Sequence, residues 1–150
     1  MDQQTLKEWL HYDPESGVFT WLQGRRVGQQ AGTLCKSGYV QINLLYVSYA
    51  AHRLAFLYMV GRWPIEVDHK DLDKSNNKWD NLREATKSQN QGNRRAVGQF
   101  GKGVTYDKSR NKFIAQYKRK NLGRFATAEE AHAAYCVAAE AALGEFFRKE

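Results

Sequence analysis

The sequence predicts an α+β protein built from two small units, and three observations support this fold class. Residues 67–95 read as strand, loop, strand and helix. From residue 100 onward, three short alternating segments precede an alanine-rich helix. Between these patterns lies QGNRRAVGQFG, a polar, glycine-containing stretch that is the best linker candidate. We therefore expect a boundary near residue 97, with units at 1–96 and 97–150.

The first 60 residues predict a mixture of short helices and strands. QTLKEWLHYD reads as a short helix and VFTWL as a strand, with DPESG as the turn between them because Pro14 presets φ and Gly17 can close it. Residues 39–49 are rich in β-branched and aromatic residues, which predicts two strands. Residues 50–60 carry apolar side chains at helical spacing, so a helix is expected there, ended by Gly61.

The stretch from Val67 to Arg95 is unusually rich in asparagine. Residues 67–71 predict a short strand, DLDKSNNK a turn whose Asp and Asn can bond their own backbone, and residues 78–80 a return strand. Leu82 and Ala85 then fall on one face of a helix through NLREATKSQNQGNRR.

The C-terminal unit predicts a three-stranded sheet followed by one helix. Strands are expected at 104–106, 112–118 and 121–125, with turns at SRN and RKN. Thr127 and Glu130 have the spacing of a capping box, and Gly144 can end the helix. The apolar stripe expected to pack on the sheet consists of Ala131, Ala134, Tyr135, Ala138 and Ala142.

The composition excludes several classes of protein. No apolar run approaches the roughly 18 residues of a membrane span. The N-terminus MDQQTLKEWLHYD lacks the basic start and apolar stretch of a signal peptide, so we expect a cytoplasmic protein with no membrane partner. Cys35 and Cys136 form no CxxC pair, which argues against structural zinc, and both are expected to be buried and reduced.

The positive charge is concentrated in one segment. The net charge is +7, and residues 93–126 hold ten Lys or Arg against one acid, Asp107. A basic segment between more acidic flanks is typical of proteins that bind a polyanion such as nucleic acid, although a merely solvated basic surface would show the same pattern.

The same asparagine-rich stretch contains a candidate metal site. Asp68 and His69 are adjacent on the predicted strand, whereas Asn81 begins the predicted helix and Asn90 lies two and a half turns along it. A carboxylate and an amide oxygen suit Mg²⁺, and a neutral His can take a proton from water for attack on phosphorus. Taken one at a time, these residues are equally well explained by turn chemistry.

The segment HRLAFLYMVGRWPIEVDHKDLDKSNNKWDNLREATKSQNQGNRR resembles the HNH homing endonucleases of phages, in the variant whose third motif residue is Asn. Its DH pair, its NN…NLR segment and the Asn about twenty residues after the Asp match the pattern of that family. YDPESGVFTW, GYVQINL and AHRLAF also resemble the usual N-terminal part of such proteins.

The resemblance implies a ββα-metal fold over about residues 66–93 and a role for each motif residue. His69 would be the general base, and Asp68 and Asn90 would hold one divalent ion, Mg²⁺ or Mn²⁺ rather than zinc. Asn81 would brace the loop and orient His69. Arg83 would contact phosphate or form a salt bridge with Asp80 or Glu84.

The C-terminal unit resembles the APETALA/ethylene-response-factor type of DNA-binding domain. GV, KFIAQ, LGRF, TAEEAHAAY and AA occur in the order of that family, which places a three-stranded sheet in the major groove. The mostly polar side of the central strand is assigned to DNA. The expected contacts are Arg110, Lys112, Gln116, Lys118 and Arg124, with Tyr106 and Lys108 as weaker candidates. Three residues of the linker are expected to follow the DNA backbone, namely Arg94, Arg95 and Lys102.

These expectations combine into a metal-dependent endonuclease that nicks or cuts duplex DNA. The alternatives are a regulatory DNA-binding protein whose first unit is only a scaffold, and an RNA-binding or RNA-cutting protein. The resemblance implies a phage-encoded protein acting in the bacterial host. The sequence leaves the choice between monomer and homodimer open.

Overall fold

The computed structural model describes residues 1–94 and 99–149, and their contacts divide the chain into units Met1–Asn90 and Gln91–Glu150. The expected boundary near residue 97 lies outside the described residues. The fold is a mixture of short helices and small antiparallel sheets, as the α+β class requires. Within the described residues no helix has the length and apolar character needed to cross a bilayer.

The first unit begins with a helix and two small sheets. Helix α1 spans Gln3–Trp9, and strands β1 (Leu10–Asp13), β2 (Val18–Trp21) and β3 (Gln30–Ala31) form the first sheet. Strands β4 (Thr33–Leu34), β5 (Val40–Leu44) and β6 (Val47–Ala50) form the second. The predicted first helix is therefore too long, because its last four residues pair with β2 as β1.

Helix α2 (Ala51–Val60) follows β6 directly and ends at Gly61, as predicted. Gly61 has φ of 80°, and its N–H donates to the Leu57 carbonyl, which closes the last helical turn. The core of the unit packs the apolar face of α2 against both sheets, with Leu6, Leu10, Ile42 and Leu54 fully buried. This packing fixes α2 as the platform behind the strands that follow it.

The next three elements form a two-stranded ribbon and a helix. Strand β7 (Glu66–His69) pairs with β8 (Leu82–Ala85), and α3 spans Lys87–Asn93. The predicted return strand at 78–80 is wrong, since residues 79–81 form a 3₁₀ turn. The prediction that Leu82 and Ala85 lie on a helix is also wrong, because both pair with β7.

A capping box explains why α3 begins later than expected. The N–H of Thr86 donates to Gln89 Oε1 at 2.8 Å, and the N–H of Gln89 donates to Thr86 Oγ1 at 3.3 Å. This reciprocal pair satisfies two backbone donors at a helix start, so the chain stays extended before Thr86. Asn81 and Asn90 therefore do not share one helix.

The second unit has the predicted sheet-on-helix arrangement. Strands β9 (Val104–Asp107), β10 (Lys112–Tyr117) and β11 (Lys120–Phe125) form an antiparallel sheet with β10 in the centre. Helix α4 (Ala128–Leu143) begins with the Thr127–Glu130 capping box, and Gly144 follows it. Its buried residues are Ala131, Cys136, Ala139 and Leu143. The predicted stripe is therefore wrong at Ala142, which is exposed.

Both cysteines are free thiols, as expected. Cys136 is buried, and burial raises the pKa of its thiol. Cys35 is only partly buried, contrary to the prediction. It lies directly before an exposed turn at residues 36–37.

Candidate active site and nucleic-acid interface

The candidate active site is built on the β7–β8 ribbon. Asp68 lies opposite Arg83, and His69 lies opposite Leu82. Because side chains alternate along a strand, Asp68 and Glu66 share one face of β7, and His69 belongs to the other. His69 and the Leu82 side chain face the buried core, and Asp68 faces Arg83.

The Asp68 carboxylate is buried and paired with an arginine. Asp68 is 4% exposed, and its Oδ2 accepts bonds from Nε and Nη2 of Arg83, both at 2.8 Å. A buried carboxylate needs such a partner, since an unpaired charge away from water is strongly destabilising. Arg83 therefore pairs with the residue opposite it on the ribbon, rather than with the near neighbours that the sequence suggested. Glu84 instead forms a two-pronged ion pair with Arg62.

Asn90 lies on the Asp68 face of the ribbon. Its Nδ2 donates to Glu66 Oε2 at 3.1 Å, and Glu66 shares that face with Asp68. This bond leaves Oδ1 as the amide oxygen that could bind a cation. Glu66 is a residue that sequence reasoning missed. Its two-residue spacing from Asp68 on a predicted strand was the available signal.

The donor set fits a hard divalent cation with few protein ligands. Asp68 offers a carboxylate and Asn90 an amide oxygen, which is the oxygen chemistry that Mg²⁺ prefers. Among the described residues no group of three or more His, Cys, Asp or Glu side chains could hold a metal ion. An ion held here would therefore take its other ligands from water and phosphate, as Mg²⁺ usually does.

The His69 side chain is held in a defined tautomer by Asn77. Asn77 Nδ2 donates to the Ser75 carbonyl at 3.1 Å, so its Oδ1 is the atom that faces His69 Nε2 at 3.4 Å. An amide oxygen only accepts, hence Nε2 carries the hydrogen and Nδ1 carries the lone pair. Burial lowers the pKa of His69, and the bond to Asn77 and the nearby acids oppose this shift only in part. A neutral imidazole is the form that a general base requires.

Asn81 braces the loop between the two strands. Its Nδ2 donates to Asp71 Oδ1 at 2.9 Å and to the Asn76 carbonyl at 2.8 Å, and its Oδ1 accepts from the Asp71 N–H at 3.1 Å. A hydrogen bond to His69 comes instead from Asn77, which the sequence analysis placed only in the turn DLDKSNNK. The run SNN after the DH pair was the only signal for Asn77. It did not indicate which of the two asparagines faces the histidine.

The β1–β2 hairpin of the first sheet contacts the same loop. Tyr12 Oη donates to the Asn77 carbonyl at 2.7 Å, and the Trp79 N–H donates to the Pro14 carbonyl at 3.0 Å. Gly17 has φ of 73°, and a Cβ there would lie 2.4 Å from the Asn77 carbonyl carbon. The β1–β2 turn is therefore packed directly against the residue that holds His69.

The polar side of the second unit's sheet is its exposed side. The register places Lys112 beside Asp107, and Ile114 between Thr105 and Arg124. Lys112, Gln116 and Arg124 are exposed, whereas Ala115 on the other side of β10 is fully buried. Exposed Thr105 belongs to the same face and was missed, since a lone Thr in a short alternating segment carries no signal.

Most of the remaining predicted DNA contacts are exposed, including Tyr106. Arg110 in the β9–β10 turn is 62% exposed and pairs with Asp107 at 3.2 Å. Lys108 and Arg94 are exposed, as is Lys118, which lies in the β10–β11 turn with φ of 46° and so is not a strand residue. Lys102 Nζ donates to the carbonyls of Gly92 and Arg148 at 3.0 and 2.9 Å, so its ammonium group is directed at the protein's own backbone. Arg95 lies outside the described residues.

Comparisons with known proteins cover both units. Residues 49–92 match the model of a family described as HNH endonuclease, and residues 102–145 match that of the AP2 domain. A solved structure titled "DNA binding and cleavage by the HNH homing endonuclease I-HmuI" is 26% identical, with a TM-score of 0.46. That match covers 57% of this chain and 51% of the other, so this chain spans about half of it. The comparison with curated proteins gives no match.

The two family matches cover the segments from which the sequence resemblances were drawn, and they confirm both resemblances. The HNH match contains Asp68, His69, Asn81 and Asn90, and the AP2 match contains the exposed polar face of the β9–β11 sheet. The chain therefore joins an HNH endonuclease segment, residues 49–92, to an AP2 domain, residues 102–145.

Proposed function

We propose that the protein is a divalent-metal-dependent endonuclease that hydrolyses a phosphodiester of duplex DNA, with His69 as general base. The observation that carries the proposal is the set of motif side chains on the β7–β8 ribbon. Asp68 and Asn90 offer oxygens to a cation, and the residue next to Asp68 on β7 is a neutral His69 whose Nε2 is engaged by Asn77. The HNH family match supports a nuclease in general, and the geometry supports these roles.

In the proposed mechanism each side chain has one task. Asp68 and Asn90 would hold one cation, Mg²⁺ or Mn²⁺, which when bound neutralises charge developing on the scissile phosphate. His69 accepts a proton at Nδ1 from the attacking water as the water oxygen bonds to phosphorus and the bond from phosphorus to the leaving sugar oxygen breaks, and solvent protonates that oxygen. The bond from Nε2–H to Asn77 Oδ1 strengthens as the imidazolium forms. Arg83 neutralises the Asp68 carboxylate and keeps it on the ribbon. Asn81 fixes the loop that carries Asn77.

The second unit would supply DNA affinity. Lys112, Gln116 and Arg124 lie on one exposed sheet face, and Arg110, Lys108 and Lys118 lie in the adjoining turns. Arg and Lys recognise phosphates and guanine edges, and Gln can pair with adenine. The AP2 match and the position of these residues on the exposed side support duplex DNA as the partner.

Cleavage of supercoiled plasmid tests the proposal. With Mg²⁺ we expect wild type to convert plasmid to nicked or linear product and EDTA to abolish this. His69→Ala should lose cleavage and keep plasmid binding. His11→Ala is the matched control, because His11 is an exposed histidine on β1. A cleaving His69→Ala variant would remove His69 from the mechanism. A wild type that binds but never cleaves would favour the regulatory DNA-binding alternative.

A further inference from the structure

A second histidine packs against His69 inside the first unit. The rings of His52 and His69 lie edge to face, with centroids 5.1 Å apart and an interplanar angle of 81°. Tyr39 contacts both, with its centroid 5.0 Å from His52 and 6.0 Å from His69. The His69 imidazole is therefore bounded by two other rings and by the Asn77 amide.

The His52 ring is located by elements outside the ribbon. His52 lies in the first turn of α2, seventeen residues before His69, and is 9% exposed. Tyr39 directly precedes β5, and Lys74 from the ribbon's own loop lies over its ring, 4.9 Å from the centroid. A residue of a helix and one that directly precedes a strand therefore contact the His69 ring, and a loop residue contacts one of them.

The chemistry of His52 indicates a role for its ring shape rather than for proton transfer. Its Nδ1 is buried and has no hydrogen-bond partner among the residues that the structure describes. Burial, and then the proximity of His69, lowers the pKa of His52 to about 3, so the ring stays neutral. A buried polar atom without a partner is destabilising, hence an apolar ring at this position should pack in the core at least as well.

We propose that His52 is a positioning residue that fixes the ring plane of His69, with Tyr39 as the second wall. This inference rests on the proposed function of His69 as general base. The bond to Asn77 fixes the position of Nε2. Contact with the rings of His52 and Tyr39 restricts rotation of the imidazole and keeps Nδ1 in one direction. A general base misplaced by about an ångström can lose on the order of 100-fold in rate.

The test compares substitutions that remove the ring with ones that keep it. His52→Ala should lower kcat for plasmid cleavage on the order of 10- to 100-fold while the dissociation constant for DNA stays within about twofold of wild type, because binding does not depend on the His69 ring. His52→Phe keeps a ring and loses no bond at Nδ1, so it should retain most of kcat and unfold at an equal or higher temperature.

A packing control separates positioning from general destabilisation. Leu54 is fully buried on the same helix and points away from His52. The control is the Leu54 variant, Leu54→Val or Leu54→Ala, whose melting temperature is closer to that of His52→Ala. This control should keep a kcat near that of wild type. Should His52→Ala not fold, Tyr39→Leu and Tyr39→Phe make the same comparison, with loss expected only for Tyr39→Leu.

Three outcomes overturn the inference while wild type cleaves normally. They are wild-type kcat in the ring-removing variant, an equal loss in the matched Leu54 variant, and a loss in His52→Phe as large as in His52→Ala. Absence of cleavage by wild type, or cleavage by His69→Ala, would instead contradict the proposed function.

Discussion

Arg83 and the candidate cation share one carboxylate. Asp68 is almost fully buried and accepts two bonds from Arg83 at 2.8 Å, so its charge is already partly compensated before any ion binds. Removing one member of a buried ion pair leaves an uncompensated charge, whereas breaking an exposed pair changes little. The ribbon contains both kinds, since Arg62 and Glu84 form an exposed pair beside the buried one.

Arg83→Ala should therefore lower the free energy of unfolding by about 3–5 kcal/mol in EDTA. Saturating Mg²⁺ should restore part of that loss, because a bound cation would again balance Asp68. Urea denaturation with and without Mg²⁺ measures both effects. Arg62→Ala is the control and should change stability by at most about 1 kcal/mol. Equal losses in the two variants, or no recovery with Mg²⁺, would contradict this account of Asp68.

His52 should make stability depend on pH in the acidic range. In the unfolded chain its pKa is about 6.5, and in the folded protein it is about 3, so the folded state binds fewer protons between these values. The free energy of unfolding therefore falls by about 1.4 kcal/mol, because of His52, for each unit by which the pH is lowered below about 6.5. Chemical denaturation from pH 7 to pH 4 should show a shallower slope for His52→Phe. Parallel curves for the two proteins would show that His52 is not buried as a neutral ring.

At the scale of the element, the β1–β2 hairpin and the ribbon loop act as one unit. Tyr12 Oη, the Pro14 carbonyl and Gly17 all contact residues 77–79, which lie next to the side chain that holds His69. The hairpin is more than fifty residues away in sequence, so it affects the site through these tertiary hydrogen bonds and packing contacts. Burial raises the pKa of the Tyr12 hydroxyl, which consequently stays protonated and able to donate.

Gly17→Ala should damage cleavage more than its backbone conformation alone explains. A Cβ at Gly17 would lie 2.4 Å from backbone atoms of Asn77 and Lys78, so the loop must shift and Asn77 must move with it. Gly24→Ala is a matched control, because Gly24 has φ of 80° and no atom of the described part of the chain lies within 4 Å of its Cβ position. Both variants carry the left-handed penalty of about 1–2 kcal/mol, but only Gly17→Ala should lower kcat. Similar kcat values for Gly17→Ala and Gly24→Ala in a plasmid assay would contradict a role for the hairpin contact in cleavage.

The boundaries of the elements show where sequence reasoning succeeds. α2 and its end at Gly61 were predicted because helical spacing and a terminating glycine agree, and the same holds for the capped start of α4. The segment 78–85 was predicted wrongly because four residues of strand are too short for periodicity to separate from a helical turn. The spacing of Thr86 and Gln89 was the sequence signal for a capping box, and it would have placed the start of α3 after Thr86.

On the scale of the whole molecule, charge and chemistry belong to different parts of the chain. Residues 93–126 carry ten of the 23 Lys and Arg against a single acid. The described cations at the exposed sheet face and its turns belong to the AP2 match, whereas Asp68, His69 and Asn90 belong to the HNH match. DNA affinity should therefore be separable from cleavage by mutation.

Arg110→Ala combined with Lys112→Ala should weaken DNA binding and reduce its dependence on salt. If about six phosphates are neutralised, the logarithm of the binding constant falls with a slope of about −5 against the logarithm of salt concentration. Loss of two phosphate contacts should reduce that slope by about 2. Fluorescence anisotropy across a salt series measures it, with the exposed pair Lys7→Ala and Lys149→Ala as a charge-matched control. An unchanged slope in the first variant would place the interface elsewhere.

The sequence by itself determined the α+β class, the strongly periodic helices, the segregation of charge and the two family resemblances. These follow from local patterns and from residue identities in order along the chain. Only the tertiary structure decided that Arg83 pairs with Asp68, that Asn77 rather than Asn81 holds His69, and that His52 and Tyr39 bound its ring. Each of these contacts depends on strand register or on packing between distant segments, and periodicity within one segment carries no information about which distant segment will pack against it.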